Sequence, residues 1–165
     1  MTPWPAETIW EQIFPLLPDF TVEVLPELDS SNSELMRRAR AGQLESTLLV
    51  VERQTAGRGR LGRVWQSQPG DSLTFSLSLS LAPQDWSGLS LAVGLSLAES
   101  LHPGVQLKWP NDLWFEDRKI GGILVEAASM GGRSQVVVGV GLNIRPRGAD
   151  GLNTPPAALT ELLPD

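Results

Sequence analysis

Between residues 73 and 81 the chain reads LTFSLSLSL, with Leu73, Phe75, Leu77, Leu79 and Leu81 on one parity and Thr74, Ser76, Ser78 and Ser80 on the other. A period of two predicts a strand, because successive side chains of a strand point to opposite faces. The second face carries small hydroxyls and no charge; an ordinary solvated face is the simpler expectation, and cover beneath a pocket or ligand is the alternative. From Ser87 to Leu101 the period changes. Leu89, Val93, Leu97 and Leu101 recur every four residues, Leu91 and Leu95 widen the stripe, and Gly94 and Ala98 permit close approach, which predicts a mostly buried helix. In SSNSELMRRARAG, Ser31 followed by Glu34 reads as a capping box and Gly42 as a helix end, so residues 32–41 are expected to be helical. A short helix is expected from Glu7 to Phe14, stopped by Pro15 and Pro18. Strands are expected at TVEVLPELD (21–29), TLLVVERQ (47–54), VQLKW (105–109), KIGGILVEAA (119–128) and SQVVVGVGLNI (134–144), the last two joined by a turn at SMGGR. The sum is a mixed sheet with few helices.

A length of 165 residues suits one domain with a real core, and 41% hydrophobic with 19% charged residues is a globular balance. The net charge of −6 argues against general adhesion to nucleic acid or anionic membrane, so any positive site must be local. No apolar run approaches the roughly 18 residues of a membrane span, and the start MTPWPAETIW lacks the pattern of a signal peptide. A cytoplasmic location is expected by default. The chain has no cysteine, which excludes disulfides, Cys-ligated zinc and a thioester on the protein itself.

Against that acidic background, RQTAGRGRLGRVW (53–65) holds three glycines and four arginines. Gly57, Gly59 and Gly62 spell G-x-G-x-x-G, but a dinucleotide fingerprint needs a helix next, and Pro69, Gly70 and a strand follow instead. A kinase loop would need a lysine-bearing strand and metal-binding loops that are not in the sequence. The physical content survives: Arg58, Arg60 and Arg63 repel one another, by about 4 kcal/mol for two charges 4 Å apart near a protein surface, unless something negative relieves them. Trp65 beside the loop favours folding down onto a ligand over a purely solvated loop.

KWPNDLWFEDRKIGG (108–122) is the denser cluster. Lys108 and Trp109 end a strand, Pro110 sets the turn, Asn111 and Asp112 fill it, and Lys119 begins the next strand before Gly121 and Gly122. A plain hairpin would satisfy the turn residues alone. A carboxylate at a strand end can hold Mg²⁺ together with phosphates, and a lysine can neutralise charge developing on a phosphoryl or carboxyl oxygen. Together with the arginine loop, the set suits a nucleotide and a second acid.

At these clusters the chain resembles the biotin protein ligase family, through LDSSNSEL (28–35), ERQTAGRGRLGRVWQS (52–67), KWPNDLWFEDRKIGGILVE (108–126) and VVVGVGLNI (136–144), in the family's order and spacing. The resemblance implies an α/β (α+β) catalytic domain, a mixed sheet flanked by helices and akin to the class II aminoacyl-tRNA synthetase core. It implies activation of biotin by ATP to biotinyl-5′-AMP and transfer to a lysine of a biotin carboxyl carrier protein, that of acetyl-CoA carboxylase, with Mg²⁺ on the triphosphate. Carried over by position, the biotin contacts fall on Ser30, Ser31, Asn32, Gln54, Gly57, Arg58, Lys119, Gly121, Gly122 and Leu124. The ATP and adenylate contacts fall on Arg58, Arg60, Trp65, Asn111 and Asn143; Lys119, Arg60 and Asp112 take the catalytic roles, with Asp112 also near the metal. Ser31 stands where the family usually has threonine and keeps the hydroxyl.

The resemblance covers residues 28–146, leaving 1–27 as an N-terminal segment that packs on the catalytic domain and 147–165 as a C-terminal loop and truncated helix. No room is expected for the family's N-terminal DNA-binding winged helix, hence no nucleic acid partner, and the C-terminal β-barrel is expected to be missing. That shortening sets up the rival reading, a slow or non-catalytic binder of biotin or its adenylate. Lipoate ligases carry a different glycine-rich signature, and octanoyl transferases need a cysteine. A homodimer through a sheet edge is compatible with the strands, though no residue marks the interface.

Overall fold

A computed structural model describes residues 3–82 and 85–163. Seven strands form one sheet in the order β1-β2-β3-β7-β6-β5-β4. They are β1 (Thr21–Leu28), β2 (Thr47–Gln54), β3 (Ser72–Ser80), β4 (Gln106–Lys108), β5 (Asp112–Phe115), β6 (Arg118–Met130) and β7 (Arg133–Asn143). β1 and β2 are parallel and every other neighbouring pair is antiparallel, so the sheet is mixed, as expected. The parallel pair requires a crossover, which α2 (Ser31–Arg40) provides; α1 is Ala6–Ile13 and α3 is Leu89–Leu101. Pro26 sits in β1, at the sheet edge where its missing N–H does no harm. No helix among the described residues is long and apolar enough to cross a membrane.

Alternation along β7 builds two cores. Val136, Val138, Val140 and Leu142 face one way, onto Ala98 of α3, Leu113, Ile120, Ile123 and the C-terminal Ala157 and Leu162. Val137 faces the other way, with Leu49, Val51 and Ala128, under Leu35, Met36 and Ala39 of α2. Burying each such aliphatic side chain contributes about 1.5–3 kcal/mol, so both helices are held by the faces they cover.

Four expectations need correction. The hydroxyl face of β3 is not solvated: Ser76 has 0% exposure, and Thr74 and Ser78 are buried too, while Leu73 and Phe75 opposite are only partly covered. Small side chains let the start of α2 approach the sheet, and each hydroxyl finds a partner. Thr74 Oγ1 donates to the Val51 carbonyl (2.6 Å), Ser78 Oγ accepts from Gln135 (2.8 Å), and Ser76 Oγ donates to Asn32 Oδ1 (2.6 Å) and lies 2.7 Å from Ser31 Oγ. Ser76→Val is therefore expected to leave buried polar atoms unpaired and to lower unfolding free energy by about 1–3 kcal/mol in urea titration.

The second correction is at α2. The helix starts one residue early, at Ser31, and Ser30 is its cap, accepting from the Ser33 N–H at 3.3 Å. Glu34 does not reach back to a cap; it binds Arg38 (2.9 Å) and Arg37 (2.8 Å). Gly42 follows the helix with φ +84°, the left-handed geometry that ends it. Thirdly, α3 is less buried than its leucines suggest: only Gly94 and Ala98 are buried, and Leu95 is 51% exposed, because α3 covers the sheet from one side only.

Arg37 also grips Asp29 through two N–H donors (2.8 and 2.9 Å). Those bonds, opposed by partial burial and helped by the Ser30 N–H, hold the Asp29 carboxyl at about 2, below its ordinary 3.8. A lowered native value means that the stabilisation is complete above the unfolded value and is lost as pH falls through the native one. Asp29→Asn is expected to lower Tm slightly at pH 7, and the difference from wild type should vanish as a thermal series approaches pH 2.

Fourthly, the expected turn is formed by Trp109, Pro110 and Asn111, but Asp112 already opens a short strand, β5; a second tight turn lies at Glu116 and Asp117, with φ +47° and +60°. Pairing of β5 with β6 slips midway: Leu113 faces Gly121 but Trp114 faces Lys119, so Ile120 is an extra residue, a β-bulge. Ile120 and Gly121 both back onto the core, where a Cβ on Gly121 would meet Leu142 Cδ2 at 2.5 Å. Lys119 and Gly122 thereby emerge on the opposite face, with Lys119 Nζ 3.5 Å from where a Gly122 Cβ would stand. The C-terminal segment pairs with the bulge: Lys119 N–H donates to the Pro155 carbonyl (2.9 Å) and Ala157 N–H to the Lys119 carbonyl (2.8 Å). Ala157, Ala158 and Leu162 are buried there, beside one 3-10 turn at Leu159–Glu161.

Candidate active site

On the α2 face of the sheet, where β3, β6 and β7 present their smallest residues, a cavity of about 620 Å³ opens beside the helix start. Its floor is a polar network. Gln54 Oε1 accepts from the Ser31 backbone N–H (2.7 Å) and from Ser31 Oγ (3.0 Å), and Asn32 Nδ2 donates to the Leu124 carbonyl (3.2 Å) and Glu126 Oε2 (2.9 Å). Two glycines of β7 make room: a Cβ on Gly139 would stand 2.2 Å from Asn32 Oδ1, and one on Gly141 would stand 2.4 Å from Trp65 Cε2.

The arginine loop folds into a narrow hairpin over this floor. Trp65 N–H donates to the Gly57 carbonyl (2.9 Å) and Gly59 N–H to the Arg63 carbonyl (2.8 Å), with a bridge between Arg58 and Val64. The tip turns through Leu61 and Gly62 at φ +57° and +73°. Gly57 is required for the closure, because a Cβ there would lie 2.3 Å from the Trp65 carbonyl oxygen.

The charges are arranged asymmetrically. Arg58 is paired with Glu126 (2.7 Å), whereas among the described residues Arg60 reaches only the Asn111 side-chain oxygen (3.1 Å). Among the described residues Arg63 has no ion pair. Across the cavity Lys119 Nζ lies 2.9 Å from Asp112 Oδ1, and Lys108 Nζ sits 3.6 Å over the Trp114 ring. Arg147 lies 5.3 Å from the Trp65 ring centre, and its burial pushes its pKa down. The relief expected for the arginines thus comes partly from within the protein and leaves the cavity positive. Burial pushes the Glu126 carboxyl up, but hydrogen bonds from Arg58 and Asn32 outweigh that and leave it below the usual range.

Of the residues singled out from sequence, Ser30, Ser31, Asn32, Gln54, Arg58, Arg60, Trp65, Asn111, Asp112, Lys119, Gly122 and Leu124 line this one cavity. Three do not. Gly57 shapes the loop from behind, Gly121 faces the core, and Asn143, 2% exposed, donates to the Ala157 (3.0 Å) and Lys119 (3.3 Å) carbonyls while its Oδ1 has no partner among the described residues. Sequence reasoning passed over Glu126, Ser33, Gly139, Gly141 and Arg147. Glu126 is the lone acid of KIGGILVEAA and the glycines alternate in VVVGVGLNI, so both left a trace; Arg147 left none.

Among the described residues no three His, Cys, Asp or Glu side chains gather as a metal site. Asp112 keeps one oxygen outside its contact with Lys119, a donor set that suits a cation carried in on a polyphosphate rather than a resident one.

The chain belongs to the Biotin/lipoate A/B protein ligase family, whose model matches residues 25–143 and so spans the sheet and the cavity on it. The chain is 42% identical over 145 residues to the bifunctional ligase/repressor BirA of Escherichia coli (strain K12), a match that covers 83% of this chain and 44% of that protein. It is 37% identical over 134 residues to a biotin–[acetyl-CoA-carboxylase] ligase of Mycobacterium tuberculosis, covering 74% of this chain and 49% of the relative. The fold matches that of a biotin protein ligase from Aquifex aeolicus solved in complex with biotin and ATP, with a TM-score of 0.67 and 35% identity over 85% of this chain and 60% of that one. The chain therefore spans less than half the length of both of the first two relatives.

Proposed function

We propose that the chain is a biotin–protein ligase, which joins biotin to ATP as biotinyl-5′-AMP and passes the acyl group to a lysine of the biotin carboxyl carrier protein of acetyl-CoA carboxylase, in the cytoplasm. The observation that carries the reading is the facing of Lys119 and Asp112, 2.9 Å apart, across one cavity from the Ser31–Asn32–Gln54 floor. In the first step a biotin carboxylate oxygen attacks the α-phosphorus and the bond to pyrophosphate breaks. In the second, the carrier amine attacks the acyl carbon, AMP leaves and the amine gives up a proton to water.

Neither step needs a nucleophile from the protein, which agrees with a chain devoid of cysteine. What the protein supplies is position and positive charge. The floor offers the Ser31 and Asn32 side chains to a polar ring group, and Gly122 and Leu124 provide a flat wall for an apolar one. Lys119 and Arg60 stand where anionic carboxylate and phosphate would converge, and Trp65 limits water. Asp112, which keeps one carboxylate oxygen outside its contact with Lys119, would hold the Mg²⁺ of MgATP, and that ion would neutralise phosphate charge. The complex of the Aquifex aeolicus relative with biotin and ATP supports the choice of substrates.

Purified protein, biotin, α-labelled ATP and Mg²⁺, with and without an apo carrier domain, test the reading. Labelled biotinyl-adenylate and biotin transferred to the carrier are expected; absence of adenylate in a folded protein that binds biotin by calorimetry would overturn it.

A further inference from the structure

Glu126, on β6, is the point at which three separate elements meet. Arg58, from the arginine loop, sets Nη1 and Nη2 against the two carboxylate oxygens of Glu126 at 3.1 and 2.7 Å. The Nε of the same guanidinium donates to Ser33 Oγ (3.0 Å) in the first turn of α2, and Asn32 Nδ2, also from that turn, donates to Glu126 Oε2 (2.9 Å). A two-point pairing of this kind holds orientation as well as distance, which a single-point lysine pair would not. Its members are only partly covered, with side-chain exposures of 42% and 26%, so it can open without disturbing either core.

The arrangement alters what Arg58 is for. Its charge is balanced by Glu126, and Nε, Nη1 and Nη2 each make a contact within the protein, which leaves two of its five N–H donors for a ligand anion. Arg60 and Arg63, a few residues on, have no carboxylate partner among the described residues, and they reach the cavity only if the hairpin lies across it. We propose that Glu126 is a positioning residue, the latch on which Arg58 closes the arginine loop over the cavity, so that biotin and its adenylate are retained by a loop that Glu126 holds shut. The functional half of this inference rests on the ligase reading; loop closure itself does not.

The loop carries its own reporter, because trypsin cleaves after arginine. Limited trypsin digestion of the full chain without ligands, scored at Arg60 and Arg63, is expected to run about tenfold faster in Glu126→Gln and in Arg58→Met than in wild type. The double variant should be no faster than either single one, since both remove the same contact. In parallel, Glu126→Gln should raise KM for biotin and the dissociation rate of preformed biotinyl-adenylate about tenfold, a larger change than any fall in kcat. Variants with unchanged thermal unfolding but wild-type cleavage would overturn the latch, as would additive effects in the double variant or faster cleavage with unaltered adenylate dissociation. Should wild type make no adenylate, the ligase reading fails by itself, and the digestion still decides whether Glu126 closes the loop.

Discussion

Biotinyl-adenylate formation is expected to fall about 100- to 1000-fold when Lys119 is replaced by alanine, with biotin affinity changed far less. The lysine is half-sheltered at the cavity wall and faces Asp112; on the ligase reading its ammonium would stand where charge builds between carboxylate and α-phosphate. Near a protein surface, two opposite charges 4 Å apart attract by about 4 kcal/mol, enough to account for a loss of that size when the cation is removed. On the same reading, biotin in its ground state would be held mainly by the floor network, which Lys119 does not join. Pyrophosphate exchange at saturating ATP, set beside calorimetric titration with biotin, measures the two separately. A loss below fivefold would mean that Lys119 does not stabilise the reacting centre.

The second large effect is steric. A methyl group on Gly139 would lie 2.2 Å from Asn32 Oδ1, and the atoms behind it belong to the middle of a seven-stranded sheet that cannot retreat. Asn32 must swing away, which breaks its contacts with Ser76, the Leu124 carbonyl and Glu126 together. Gly139→Ala is expected to lose about 1–3 kcal/mol of stability through overpacking, a Tm drop of roughly 3–10 °C, and to weaken biotin binding at least tenfold. Gly148→Ala is the control: no atom lies within 4 Å of a Cβ there, and its stability should stay within about 0.5 kcal/mol of wild type. Calorimetric scans and biotin titration of both variants check the contrast, and a Gly139→Ala protein that binds biotin normally would refute it.

How much of this was legible beforehand depended on whether the signal was local. The long strands β2, β3, β6 and β7 follow from their runs of β-branched residues and leucine, and the turn at Gly131 and Gly132, with φ +56° and +81°, follows from two adjacent glycines. β5 escaped because four residues are too few for a period to show, and because Pro110, Asn111 and Asp112 read as a turn whatever comes after. The solvated reading of the β3 hydroxyls failed for a different reason. Alternation separates two faces but does not say which is covered, and here a helix from forty-five residues upstream covers the polar one, with Ser31 on Ser76. Twelve of the site residues could be carried over by position because their motifs are contiguous. The partner of Arg58 could not, since Glu126 lies 68 residues away and nothing in the loop points to it.

The extra residue at Ile120 has a bearing on how this chain can change. Side chains in β6 are assigned to the core or the cavity by counting from that point, so substitution and change of length are different events there. Exchanging Ile120 for valine alters a volume. Deleting it would leave Leu113 opposite Gly121 and Trp114 opposite Lys119, with Lys119 still on the cavity face; pairing the stretch evenly at its present length would instead put Ile120 in the cavity and turn Lys119 through the sheet to face leucines, while every residue of the cluster remained present in the sequence. A relative that lacks the residue at 120 should accordingly be read as having lost a core side chain and kept its lysine in the cavity, whereas one that pairs this stretch evenly at full length has lost the site.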